Sequence, residues 1–142
     1  MSYVEAFRAY DDAADPSAAI RVIQPAIEQF MLRGNFRRVA DYKKELGLLY
    51  MNKLGDNRSA VGEFRQAGDR YKGNRAPALA SNMYKQCAEL LAMEKEYTGA
   101  VENFEESIEL LPESVKKFQA AGYALNALIC SLCNGVSAAR WG

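Results

Sequence analysis

Cys130-x-x-Cys133 is the spacing in this chain with the clearest chemical meaning. Two thiols three residues apart form a redox dithiol when the first sulfur caps a helix N-terminus, where backbone amides hold the thiolate. Here the pair falls late in a predicted helix with no strand before it. Both sulfurs, and Cys87 with them, read better as small buried hydrophobes. A zinc site would need a second Cys pair or a histidine, and the sequence has 3 Cys and no His. Without His, a Ser-His-Asp or Cys-His nucleophile and a carboxylate-His metal cage cannot be built. Glu102, Glu105, Glu106, Glu109 and Glu113 are the other group that suggests chemistry, as acid-base carboxylates or Ca²⁺ ligands. Their spacing around Phe104 and Ile108 turns most of them to the solvent side of a helix, and no Asp-x-Asp-x-Asp-Gly loop accompanies them. The 10 Gly are scattered, with neither G-x-G-x-x-G nor G-x-x-x-x-G-K-[ST], so a phosphate cradle is not predicted. The residues point to binding rather than catalysis, with no cofactor.

The elements that must position these side chains follow from an internal repeat. At 142 residues, with 49% apolar and 25% charged side chains, the chain has the composition of one globular domain. Ala19-Ile20-x-x-Ile23-x-x-Ala26-Ile27-x-x-Phe30 recurs as Ala60-Val61-x-x-Phe64-x-x-Ala67-Gly68-x-x-Tyr71. It recurs again as Ala100-Val101-x-x-Phe104-x-x-Ser107-Ile108-x-x-Leu111, the anchors stepping by 41 and then 40 residues. Between them runs a second pattern at Ala6-Phe7, Leu46-Gly47, Cys87-Ala88 and Ala127-Leu128. Both patterns place apolar residues at i, i+3, i+4 and i+7 or i+8, one stripe of a 3.6-residue helix.

Two alternating patterns imply two helices per repeat. Helices are predicted near residues 2–13, 16–32, 36–53, 57–72, 77–94, 97–111 and 115–133. Asp15-Pro16 supplies an N-cap followed by Pro at the first helical position, and Gly34 and Gly73 sit where left-handed C-caps belong. Gly47, Ala60, Ala67 and Ala88 within the stripes let neighbouring axes approach. Phe30, Phe36, Tyr50, Phe64, Tyr71, Phe104 and Phe118 fall on the stripes and are predicted to be core, not base-stacking platforms. A single hairpin cannot bury its apolar face alone, so the fold class is all-α, a right-handed solenoid of tetratricopeptide-like hairpins. The hairpins span about 1–33, 34–74, 75–112 and a truncated 113–142. The period of about 40 makes each helix roughly a turn longer than in the 34-residue tetratricopeptide unit, a breadth suited to extended partners.

Charge is segregated along the chain although 18 basic and 18 acidic residues cancel. Residues 33–75 hold 11 Lys or Arg against 5 Asp or Glu, and residues 89–113 hold 1 against 8. The neutral total gives no bulk pull toward nucleic acid. The first residues mix charges, so no signal peptide is predicted. Residues 118–139 carry no charge, but Gln119, Asn126, Ser131, Asn134 and Ser137 interrupt them and Gly135 breaks them, which favours buried helices over a membrane span.

Ala14-Asp15-Pro16-x-x-Ala19-Ile20, Ala26-Ile27-Glu28, Gly34-x-Phe36, Ala67-x-Asp69-x-Tyr71-Lys72-Gly73, Tyr97-x-x-Ala100-Val101 and Cys130-x-x-Cys133 together resemble the soluble NSF attachment proteins, closest to the alpha type. The resemblance runs nearly end to end and covers the middle of a family domain about twice as long. It implies a cytoplasmic, non-catalytic adaptor, peripheral to membranes through its partners, that lies along the acidic SNARE bundle and recruits the ATPase NSF. The family's main SNARE-contacting basic positions fall on Asn35, Asp41, Asn82, Gln86 and Ala121, none of them basic. Arg37, Arg38 and Lys44 lie three or four residues from Asp41, Lys85 three from Asn82, and Lys117 four from Ala121. These five are the candidate binding residues, a shifted basic strip on the same helix faces.

The family's membrane-touching apolar loop has no counterpart before Met1, and its NSF-engaging tail would lie beyond Gly142. An open end at Trp141 predicts a missing remainder, a packing partner or self-association. The alternative reading is a generic repeat scaffold for another helical or extended partner.

Overall fold

A computed structural model describes residues 15–116, 125 and 128–133 of the chain. Five helices follow one another: α1 (Pro16–Leu32), α2 (Phe36–Asn52), α3 (Asn57–Gly73), α4 (Pro77–Met93) and α5 (Tyr97–Glu109). Residues 113–116 and 128–133 are also helical, and no strand occurs among the described residues. Each helix packs on the next in the chain, giving an all-α solenoid. For these five helices the predicted boundaries agree within two residues, while the helix predicted at 115–133 runs through residues outside the described ones. The predicted helix at 2–13, Phe118, Trp141 and the open end lie outside the described residues.

The helix starts are chemical. Asp15 Oδ1 accepts from Ala18 N at 3.1 Å ahead of Pro16, and Asp56 accepts from Ser59 N at 3.1 Å and Ser59 Oγ at 2.6 Å. α1 continues through Pro25, whose ring nitrogen cannot donate to the Arg21 carbonyl.

Three of the stops share one form, in which a residue with positive φ sits just past the helix and the next amide bonds five residues back. Gly34 (φ 73°) is followed by Asn35 N donating to Phe30 O at 2.9 Å. Arg75 (φ 59°) is followed by Ala76 N donating to Tyr71 O at 2.9 Å, and Lys95 (φ 64°) by Glu96 N donating to Leu91 O at 2.8 Å. The sequence placed one of these caps at Gly73, which instead closes α3 as its last residue, while the strained position falls on Arg75.

The core follows the repeat. Ala19, Ala60 and Ala100, the anchor of each first pattern, are each 0% exposed. Ile23, Val39 and Leu46 knit α1 to α2, while Phe64, Tyr71, Tyr84 and Cys87 fill the joint of α3 with α4. Phe104 packs with Ala88 and Cys130, which ties the helical residues 128–133 to α4 and α5. Gly47 admits the Phe64 ring and Gly68 the Tyr84 ring, since a Cβ would stand 2.6 Å from Phe64 Cε1 and 2.8 Å from Tyr84 Cε1. Between α4 and α5, Ser107 Oγ donates to Ser81 O at 3.0 Å and Ser81 Oγ donates to Ser107 O at 2.9 Å, a reciprocal buried pair.

Two core expectations are corrected. Phe36 is 40% exposed, because the first turn of α2 stands at the rim and only the Arg70 guanidinium lies over its ring. Cys133 is exposed while Cys130 is buried, since only one of two thiols three residues apart meets α5.

Candidate functional site

The predicted basic strip lies on α2 and α4. Arg37 and Arg38 occupy the first turn of α2, Lys44 lies two turns on, and Lys85 is at the middle of α4. Lys117 lies outside the described residues. Their chemical situations differ. Arg38 is exposed and Lys44 half-buried, and among the described residues neither has a carboxylate within ion-pair reach. Lys85 Nζ lies 3.9 Å from Glu89 Oε1 one turn along α4.

Arg37 is exposed but engaged with the neighbouring helix. Its Nε stands 3.6 Å from Asp41 Oδ1 and its guanidinium lies over the Tyr71 ring at 5.4 Å from the centroid. Asp41 in turn accepts from the Tyr71 hydroxyl at 2.6 Å. Of the five candidates, Arg37 therefore serves mainly the joint between α2 and α3.

The same device recurs one helix further on. Arg65 lies over the Tyr84 ring at 4.7 Å, and the Tyr84 hydroxyl donates to Asp69 Oδ1 at 2.6 Å. Both Arg-x-x-x-Asp pairs place cation and carboxylate on one helix face, and the Tyr of the following helix closes the clasp. Burial first, then the bond to its aspartate, pushes each tyrosine hydroxyl well above the ordinary phenol range. Arg65 also reaches beyond α4, donating from Nη1 to Asn103 Oδ1 and from Nη2 to Glu106 Oε1, both at 2.7 Å. The sequence reading missed these clasps. Arg37-x-x-x-Asp41 and Arg65-x-x-x-Asp69 are visible in the sequence, but they step by 28 residues, out of phase with the repeat.

Two clefts open beside this framework. One of about 290 Å³ has Ile27, Met31 and Val39 as its apolar wall and Lys43, Gln66, Asp69 and Arg70 at its polar side. Another of about 470 Å³ is lined by Lys72, Glu102, Glu105, Glu106, Glu109 and Leu110. No group of three or more Cys, Asp or Glu among the described residues is arranged to hold a metal ion. Burial pushes the Cys87 thiol up to about 12, and burial followed by the neighbouring Cys133 raises Cys130, the opposite of an activated thiolate. No helix of the described residues is long and apolar enough to cross a membrane. What the geometry supplies is charged, stepped surface on a firm frame.

Comparison with known proteins bears on what such a surface serves. The family model described as "Soluble NSF attachment protein, SNAP" matches residues 1–140. A probable vesicular-fusion protein sec17 homolog of Schizosaccharomyces pombe is 39% identical over 135 residues, 94% of this chain and 46% of that protein. The vesicular-fusion protein SEC17 of Komagataella phaffii is 36% identical over 92% of this chain and 45% of its own length. The alpha-soluble NSF attachment protein of Saccharomyces cerevisiae is 30% identical over 98% of this chain and 49% of its own length. The chain thus spans about half the length of the curated relatives it matches. Among solved structures, BtubC (BKLC) from P. vanneervenii superposes with a TM-score of 0.62 at 17% identity, covering 99% of this chain and 63% of that one, a likeness of fold.

Proposed function

Because the chain belongs to the soluble NSF attachment protein family, we propose that it is a non-catalytic adaptor in vesicle fusion. It grips the acidic side of an assembled SNARE bundle so that an NSF-type ATPase can act on it. The observation that carries this reading is the family match over residues 1–140 on a helical solenoid. Five successively packed helices present a length of surface rather than a pocket, which suits a coiled coil gripped by shape and charge. The cations assigned to contact are Arg38, Lys44, Lys85 and Lys117, with Arg37 holding the first turn of α2 in place. Such a protein works on the cytoplasmic side and reaches membranes through its partners.

A second reading, a repeat scaffold for a different elongated partner, is favoured by one observation. Asn35, Asp41, Asn82, Gln86 and Ala121, onto which the resemblance carries the family's basic contacts, are not basic, and Asp41 accepts from the Tyr71 hydroxyl.

One experiment separates the two. The full chain, immobilised, is offered assembled SNARE complex at low and at high salt. Capture at low salt that weakens at high salt is expected, and Arg38→Glu with Lys44→Glu and Lys85→Glu should reduce it by roughly 10- to 100-fold. Arg37 is left out because reversing it would break the clasp. No capture at low salt selects the scaffold reading, and capture untouched by the triple reversal discards the strip.

A further inference from the structure

The helical residues that follow α5 have two unlike sides. Cys130 is 7% exposed and packs with Ala88 and Phe104, which sets one side against α4 and α5. Away from it, Leu125, Leu128, Ile129 and Leu132 are 56%, 55%, 48% and 58% exposed. Their spacing of i, i+3, i+4 and i+7 puts all four on one stripe over two turns of helix. No Asp, Glu, Lys or Arg occurs between residues 118 and 139, so the stripe is also free of charge from its own helix. The other exposed large apolar side chains among the described residues are Met31, Leu32 and Phe36, which stand among arginines, and Leu54 and Met93, which stand singly.

The repeat indicates what this stripe does not receive. Gly47, Ala88 and Leu128 hold one register position in successive repeats, stepping by 41 and then 40 residues. In the first two the residue is small because the next helix leans on it: Gly47 admits the Phe64 ring, and Ala88 packs with Phe104. A Cβ alone at Gly47 would stand 2.6 Å from Phe64 Cε1, so a leucine in that register closes the approach by which one repeat helix nestles onto the last. A helix that meets Leu128 must stand further off and interdigitate with large side chains. Charged partners are disfavoured as well. Lys44 and Lys85 of the basic strip are matched one repeat later by Leu125, which offers an acidic surface nothing to pair with.

We propose that the stripe is the interface through which two copies of this chain associate as a dimer. In a two-fold contact the same patch meets itself, so net charge on the patch opposes the contact and large side chains face large side chains. The stripe meets both conditions, and its two ridges, Leu125 with Ile129 and Leu128 with Leu132, interdigitate with those of the second copy. The patch at Met31, Leu32 and Phe36 fails the first, because Arg33, Arg37 and Arg38 stand beside it. Four half-exposed Leu or Ile from each copy make a small interface for a dimer, which sets the association in the micromolar range. Arg38, Lys44 and Lys85 lie on other helices, so the dimer carries two basic strips and can engage an elongated partner twice. The inference goes beyond the adaptor reading and does not rest on it.

The full chain, with no partner present, is followed by sedimentation velocity over a dilution series. Its mass should rise from that of one chain toward that of two, with half-assembly at roughly 1–100 µM. Because no charge is buried, the association should hold or tighten as sodium sulfate is added, the reverse of capture by the basic strip. Leu128→Gln with Leu132→Gln should weaken it by roughly 100- to 1,000-fold, since each substitution acts in both copies, and Leu125→Gln alone by roughly 10- to 30-fold. Glutamine keeps a helix former at these exposed positions, and an unchanged thermal midpoint at dilutions where the parent is monomeric verifies that the variants fold. Leu32→Gln, more exposed still but off the stripe, should associate as the parent does. A chain that stays monomeric across the series overturns the proposal. So does association that salt weakens, or a Leu125→Gln or doubly substituted protein that associates as the parent does, because another face would then be the contact.

Discussion

Gly47 and Gly62 offer the same substitution at two mid-helix sites with opposite expected outcomes. Gly→Ala in a helix interior ordinarily stabilises by about 0.5–1 kcal/mol, because alanine loses less backbone entropy on folding. At Gly62, on the exposed face of α3, an added methyl meets nothing within 4 Å, so the full gain is expected. At Gly47 the methyl would stand 2.6, 2.7 and 2.9 Å from three atoms of the Phe64 ring. That ring is 1% exposed and packed among Ala40, Ala60 and Ala67, so it has no free volume into which to swing. Overpacking of a core costs about 1–3 kcal/mol, and three close contacts on a rigid ring argue for the upper half of that range. Subtracting the propensity gain leaves Gly47→Ala destabilised by about 1–2 kcal/mol. In thermal denaturation of the full chain, with a change of roughly 3 °C per kcal/mol at this size, Gly62→Ala should melt about 2–3 °C higher and Gly47→Ala about 3–6 °C lower. Adding Phe64→Leu to Gly47→Ala should recover part of the loss, since the smaller side chain vacates the methyl's place. A Gly47→Ala protein as stable as Gly62→Ala would refute the close approach of α2 to α3.

The tyrosine clasps predict a dependence on alkaline pH. The folded hydroxyls of Tyr71 and Tyr84 titrate above their unfolded value of about 10, so their contribution is complete below that pH and is lost as pH rises past it. Tyr71→Phe with Tyr84→Phe should lose about 1–3 kcal/mol at neutral pH in urea titrations and show a shallower decline above pH ~10 than the parent. The cysteines should separate by accessibility. Exposed Cys133 should react at once with a colorimetric thiol reagent, whereas Cys87, 0% exposed, should react only as the chain unfolds. Prompt labelling of Cys87 would contradict the packing of α3 on α4.

The stripes made the architecture legible. Ala19, Ala60 and Ala100 recur at the repeat period and are all sealed in the core, because burial selects the same small residue wherever two helices meet at the same depth. Arg-x-x-x-Asp reads as an ordinary surface pair until the Tyr of the next helix is brought onto it, a contact between residues 30 apart for Asp41 and Tyr71 but 15 apart for Asp69 and Tyr84. No single period carries both. Phe36 fits the stripe by spacing, yet stands at a rim where no helix covers it, because periodicity reports the face of a residue and not its depth. The left-handed residue at Arg75 was hidden for a related reason. Gly73 is the residue that composition favours for the cap, but the register of the last turn of α3 sets which position must adopt it. Of the strip, the sequence supplied the helix faces; the internal commitment of Arg37 depends on Tyr71, which only folding brings near.

Most joints in this solenoid link a helix to its immediate neighbour, but Arg65 skips one, running from α3 past the Tyr84 ring of α4 to Asn103 and Glu106 on α5. A stack held only by adjacent joints frays from an end like a zip, one helix at a time. With this strut in place, peeling α5 away also strips the cover from Tyr84, so the three helices should let go as one unit. Hydrogen exchange would register that as a shared opening energy across α3, α4 and α5, and the lever arm gripping any partner would be correspondingly stiff.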